Sequence, residues 1–311
     1  MSVEEVREAV RAGGLFARDR PVLVMLSGGR DSTCLLDVAI ALLGAPALSA
    51  LHVNYGLREQ ADADERHCAS VCEQLGVELE VVRAPSPQGN LQAWARELRY
   101  AQAGRIANER DALIATGHTA SDQIETILYR LAASPGRRAL LGMAASEGRL
   151  IRPLLDVSRE QTTAYCEARG LSWREDESND DERYARARVR GALVPALRAV
   201  HPAAEANVLR TALLLREETE LLDGLVVEEL GVRARIALAR LGELPAALAR
   251  LVVVRLAEEA TGAYVPQAGE RVQELLALGR RGGRAELHVG GQAGAVIDNG
   301  MLEMIKLEPR A

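Results

Sequence analysis

The stretch Ser27-Gly28-Gly29-Arg30-Asp31-Ser32 has the residue types with which a chain handles a polyphosphate. Gly28 and Gly29 lack Cβ atoms, so backbone N–H groups can come close to a ligand. Ser27 and Ser32 add hydroxyl donors. The apolar run Val22–Leu26 leads into the loop and a helical pattern leaves it, so a helix N-terminus points at the same place and favours an anion. The spacing is neither G-x-x-x-x-G-K-S/T nor G-x-G-x-x-G, which argues against ordinary nucleotide hydrolysis and against a dinucleotide site. Asp31 would repel a polyphosphate unless a divalent cation stood between them. Such a loop, with Mg²⁺ held beside it, suits cleavage between the α- and β-phosphates. Pyrophosphate leaves, and the acceptor is adenylated rather than phosphorylated. The plainer reading is a Gly-rich strand–helix turn that Asp31 helps to cap.

Around this loop the first half of the chain alternates. Val22–Leu26, Ala47–Tyr55, Val77–Val82, Ala112–His118 and Leu150–Leu155 read as apolar strands. Helical patterns over Thr33–Leu43, Ala61–Leu75, Asn90–Glu109, Ser121–Ala133 and Arg159–Arg169 separate and follow them, with Asn90 as a helix N-cap. Short apolar strands alternating with helices predict a doubly wound, parallel, five-stranded α/β sheet. Ligands of such sheets bind off the C-terminal strand ends, where the loop and the stretch around His118 both fall. Beyond Trp173 the pattern becomes polar, acidic first and then Arg-rich. From Arg198 onward the chain reads as long Ala/Leu/Glu/Arg-rich helix, interrupted at Pro245, before three Gly-punctuated strand-like runs. The expected division is therefore 1–198 for a nucleotide domain and 199–311 for a smaller, mainly helical domain ending in short strands, assigned to substrate binding.

Composition narrows the class. The 311 residues are 48% hydrophobic and 26% charged, enough for a buried core. Net charge is −6, which excludes coating of nucleic acid by overall field but not a local basic patch. Neither a signal-peptide h-region nor a membrane-length apolar run is visible. The four cysteines form no C-x-x-C pair, and Cys68 and Cys72, four apart, fit one buried helix face; a reducing cytoplasm is expected. Lys306 is the sole lysine, so no side-chain amine can act as a nucleophile in the first half.

"SGGRDS" resembles the SGGxDS signature of the PP-loop, or N-type ATP pyrophosphatase, superfamily. Further stretches narrow the likeness: "HVNYGLR" (His52–Arg58), "ARELRY" (Ala95–Tyr100), "ATGHTASDQIET" (Ala115–Thr126), "RPLLDVSRE" and Gly170–Arg190 occur in the order found in tRNA(Ile)-lysidine synthetases. The resemblance covers roughly Arg20 to Leu197, and more loosely the Gly-rich tail, and longer members carry a third domain that this chain does not match. It implies adenylation of the C2 oxygen of the wobble cytidine in the isoleucine tRNA with a CAU anticodon. The amine of free L-lysine then displaces AMP to give lysidine. The partners implied are ATP, Mg²⁺, lysine and that tRNA, with no membrane; a homodimer is compatible with the sequence.

The same resemblance assigns roles. Ser27, Gly28, Gly29, Arg30, Asp31, Ser32, His52, Asn54, Arg99, Gly117 and His118 would hold ATP, with His52 and Asn54 near adenine and Arg99 clamping phosphate. Asp31, Asp122 and Glu125 would bind Mg²⁺, the latter two alternatively positioning the lysine ammonium. Asp31, Asp122, Glu125 and Arg190 would be catalytic, and Arg186, Arg188 and Arg190 would contact RNA; Arg183 is balanced between that and a solvated charged segment. Against this, Thr119 with Asp122 is equally a capping box. Trp94 and Trp173 read as core. Ser121, Ala187 and Ala133–Arg138 depart from the family pattern. The competing readings are a tRNA thiolase of the same superfamily, disfavoured by the lack of C-x-x-C, and a non-catalytic adenine-nucleotide sensor, which would not need converging acids and arginines.

Overall fold

The computed structural model describes residues 2–17, 19–57, 60–87, 89–134, 136–175, 185–231 and 234–308. Arg58 and Arg183, and the segment 176–184, lie outside them. Two compact units are present, Met1–Ala212 and Leu213–Ala311.

In the first unit the order is α1 (Val3–Ala12), β1 (Val22–Met25), α2 (Arg30–Leu43), β2 (Leu48–Asn54), α3 (Ala61–Leu75), β3 (Glu78–Arg83), α4 (Leu91–Glu109) and β4 (Leu113–Ala115). It continues with α5 (Ala120–Ala133), α6 (Arg137–Leu140), β5 (Ser146–Glu147), β6 (Leu150–Ile151), α7 (Arg159–Arg169), α8 (Ala185–Arg188) and α9 (Val194–Val200). The sheet order is β3-β2-β1-β4-β6-β5. The first five are parallel, as expected, and β5 adds a two-residue antiparallel edge. Alternate residues of β1 feed opposite faces: Val22 and Val24 pack with Leu35, Val38, Cys68 and Tyr165, whereas Leu23 and Met25 pack with Ala103 and Ile106. Both faces are therefore covered by helices, which is why β1 and β2 read as continuous apolar runs.

Local chemistry fixes the helix starts that matter. Asn90 accepts hydrogen bonds from the amides of Gln92 and Ala93. Thr119 with Asp122, and Ser158 with Gln161, form capping boxes that aim the N-termini of α5 and α7. Between α8 and α9 the chain makes a π-helical turn, Val189–Leu193, which contains Arg190.

Helix α10 (Ala204–Leu230) contains the boundary between the units. The second unit adds β7 (Arg235–Ala237), α11 (Leu238–Glu243), α12 (Ala246–Thr261), α13 (Gln267–Glu270), α14 (Val272–Arg280), β8 (Ala285–Gly290), β9 (Ala293–Asp298) and β10 (Met301–Lys306). Its antiparallel sheet runs β7-β10-β9-β8, so the three expected strands gain a fourth, the short β7. Among the described residues no helix is long and apolar enough to cross a membrane.

Candidate active site

The loop leaves β1 and enters α2 with Gly29 as the N-cap. Gly28 has φ +84°, and a Cβ there would lie 3.1 Å from the Cys68 sulfur, so only glycine fits both the backbone and the space. The hydroxyls brace the loop: Ser27 N–H donates to Ser32 Oγ at 3.2 Å, and Ser32 Oγ donates to the Gly29 carbonyl at 2.9 Å. A helix does not use the amides of its own first turn, so the start of α2 offers donors to an anion.

Gly117, just past β4, is set against that turn. A Cβ at Gly117 would lie 3.0 Å from the Asp31 carbonyl carbon and oxygen and from the Ser32 nitrogen, which are backbone atoms with no room to give. Gly117→Ala should therefore cost about 1–3 kcal/mol by overpacking and displace the loop. Denaturant unfolding measures this, and an unchanged midpoint would show that α2 is free to move away.

Asp31, Asp122 and Glu125 converge on an arginine to which the sequence alone assigns no role. Arg159, the first residue of α7, donates from Nη2 to Asp122 Oδ1 at 3.1 Å and from Nη1 to Glu125 Oε1 at 3.2 Å, and its Nε lies 4.0 Å from Asp31 Oδ2. Arg190 grips Glu125 with two hydrogen bonds, at 2.7 and 3.1 Å. Glu125 is buried, with 3% exposure. Asp122 forms the expected cap, with Oδ2 accepting from the Thr119 N–H and hydroxyl, while its Oδ1 accepts from Arg159. Asp31 accepts from Thr162 Oγ1 at 2.5 Å and from Arg30 Nε at 3.1 Å. Ser121, at a departure from the family pattern, accepts from the Arg159 backbone N–H at 3.2 Å.

Among the described residues no group of three or more His, Cys, Asp or Glu side chains could hold a metal. Mg²⁺ keeps several waters and needs only one or two carboxylates beside substrate phosphates. Asp31, partly exposed beside the glycine loop, fits that demand. Glu125, whose oxygens are taken by two arginines, fits it poorly.

The side chains of His52 and Asn54 turn inward. His52 Nδ1 lies 3.0 Å from the Leu26 carbonyl, while Asn54 donates to Asp62 and Glu65 and accepts from the Gly56 N–H. Both are buried, so they shape the β2 end through its backbone.

His118 lies 2.9 Å from Thr116 Oγ1 through Nδ1. Burial pushes its imidazole down to about 4; the Asp122 carboxylate opposes this, and Arg152, Arg99 and Arg186 reinforce it. His118 is thus neutral at pH 7, beside a group of cations. The Nε of Arg99 and of Arg152 is buried without a hydrogen-bond partner among the described residues. Arg186 lies 3.5 Å from Thr126 Oγ1, and both Arg186 and Arg188 are exposed. Cys34, Cys68, Cys72 and Cys166 are free and buried. Burial pushes the Cys68 thiol up to about 12 and that of Cys72 up to about 11, so neither supplies a thiolate at neutral pH.

A family model described as the PP-loop domain matches residues 3–197. A tRNA(Ile)-lysidine synthase of Pseudomonas fluorescens (strain Pf0-1) is 42% identical over 210 residues, covering 65% of this chain and 47% of that protein. One from Edwardsiella ictaluri (strain 93-146) is 37% identical over 290 residues, covering 88% of this chain and 66% of the relative. The chain spans about half the length of most of the curated relatives it matches. Among solved structures, a U34-tRNA thiolase from Methanococcus maripaludis superposes with a TM-score of 0.59 at 19% identity, over 69% of this chain and 78% of that one. At that identity the likeness bears on the fold alone. The match across the whole first sheet, together with a glycine loop that opens α2 beside a converging set of acids, shows that the chain belongs to the PP-loop domain family.

Proposed function

We propose that this protein uses ATP to adenylate the wobble cytidine of a CAU-anticodon isoleucine tRNA and then joins free lysine to its C2, releasing AMP and pyrophosphate. The observation that carries the reading is the convergence of Asp31, Asp122 and Glu125 beside the Ser27–Ser32 loop. The similarity to tRNA(Ile)-lysidine synthases supports the choice of substrate. The loop amides would bind the β- and γ-phosphates. Asp31 would hold Mg²⁺ with the phosphates, and the ion would neutralise charge on the pyrophosphate leaving group. Asp122 and Glu125 would face the lysine ammonium. Residues 199–311 would help hold the tRNA, and a cytoplasmic setting agrees with four free cysteines. The buried, protonated thiols of Cys68 and Cys72 weigh against sulfur transfer.

The test is nucleoside analysis of tRNA incubated with the protein, ATP, Mg²⁺ and labelled lysine. Labelled lysidine is the expected product; tRNA without it would sink the reading. RNA contact is proposed for Arg186 and Arg188, because Arg190 is committed to Glu125. Replacing Arg186 and Arg188 by Ala should lower the log–log salt dependence of tRNA binding by about 1.4, at roughly 0.7 per single-strand phosphate contact. A filter-binding titration at several salt concentrations measures the slope, and an unchanged slope would assign both to a solvated face.

A further inference from the structure

Arg159 and Arg190 both bind Glu125, but in different ways. Arg190 makes the two-pronged contact that fixes a guanidinium on one carboxylate. Arg159 gives one contact to each of three acids, at 3.1, 3.2 and 4.0 Å. Each acid also has an anchor of its own. Asp31 is held by Arg30 and Thr162, Asp122 by the Thr119 N–H and hydroxyl, and Glu125 by Arg190. The acids can therefore stay in place without Arg159.

The Arg159 backbone is secured separately. Its N–H donates to Ser121 Oγ, and its carbonyl accepts from Thr163 Oγ1 at 2.9 Å. The side chain is about a quarter exposed and can swing outward while α7 stays docked. Guanidinium is also more weakly hydrated than an ammonium, so it is the cheaper cation to keep half-buried.

We propose that Arg159 is an exchangeable counter-ion that fills the cation subsite between Asp122 and Glu125, beside Asp31, and that the ammonium group of the incoming amine displaces it. This rests on the reading above for the identity of the amine. Among the described residues, Arg159 adds the positive charge that Asp122 otherwise lacks between Asp31 and Glu125, and its departure is part of amine binding. An internal occupant weakens the measured affinity by the fraction of time the subsite is open.

The test is binding of L-lysine, and separately of methylguanidinium, to the full chain and to its Arg159→Gln and Arg159→Lys variants. If Arg159 fills the subsite about nine-tenths of the time, Arg159→Gln should bind lysine roughly tenfold more tightly. Methylguanidinium should compete with lysine in that variant far better than in the unaltered protein. Arg159→Lys, which keeps a cation on α7 with a shorter reach, should fall between, and serves alone if Arg159→Gln does not fold. Lysine affinity that is unchanged or weaker in the variants would overturn the inference, even where the unaltered protein makes lysidine. If the unaltered protein makes no lysidine while Arg159→Gln gains affinity for methylguanidinium, the exchangeable counter-ion stands and the functional reading fails.

Discussion

Asp31→Asn is expected to lower lysidine formation by roughly 10²-fold or more, the usual loss when one electrostatic stabiliser of a transition state is removed. Asn keeps the size and one acceptor oxygen, so it can still accept from Thr162 and leave the start of α2 in place. What it loses is the charge that would hold a divalent cation against the phosphates, and one of the three carboxylates around Arg159. Thermal unfolding should move little, because Asp31 is partly exposed and the strand–helix junction is held by Ser27, Ser32 and Gly29. ATP–pyrophosphate exchange in the presence of tRNA separates the two steps. If the adenylation step carries the defect, exchange falls with product. Near-normal lysidine formation would remove Asp31 from the site, and a large drop in unfolding temperature would make it a structural residue.

Much of this architecture could be read from residue patterns alone. Helices α3 and α7 match the expected bounds, because a 3.6-residue apolar repeat closes on Gly76 in one and on Gly170 in the other, both in the left-handed conformation that glycine adopts easily. Strands β1 and β4 were visible because a strand buried on both faces is apolar throughout, whereas the edge strand β3 shows as an alternation of Glu with Leu and Val. The antiparallel edge strand β5, two residues long, was too short to leave a period, and so was β7, three residues long; β6 keeps only the first two residues of the expected run Leu150–Leu155. His52 and Asn54 end β2, which is buried along its whole length, so His52 Nδ1 and the Asn54 amide meet neighbouring protein, which the sequence does not show. The role of Arg159 was the hardest to read. Its partners lie in α2 and α5, and nothing in local spacing says that one guanidinium reaches both. Likewise Arg190 looks like part of a charged run until the π-helical turn directs it at Glu125.

Glu125→Gln should differ from Asp31→Asn by damaging the fold as well as the chemistry. Glu125 is buried and faces two guanidinium groups, Arg159 at 3.2 Å and Arg190 at 2.7 and 3.1 Å. Gln offers one carbonyl oxygen and turns an N–H₂ toward donors that need acceptors. Removing one member of a buried ion pair typically costs 3–5 kcal/mol. Arg159 and Arg190 keep some access to water, so the lower end, about 3 kcal/mol, is the expected loss. For a unit of this size that corresponds to roughly 6–12 °C in unfolding temperature. Lysidine formation should be lost even below the new transition, since the proposed amine subsite would lack its more buried acid. A second substitution separates the two effects. Adding Arg190→Met to Glu125→Gln removes the partly exposed guanidinium that faced the lost carboxylate and should recover part of the stability, because deleting both partners is milder than deleting one. It should recover no activity. If Glu125→Gln unfolds at the original temperature, the pair with Arg190 contributes nothing to the fold. If the double variant regains lysidine formation, Glu125 serves only to hold Arg190, and the acid that meets the amine must be sought at Asp122.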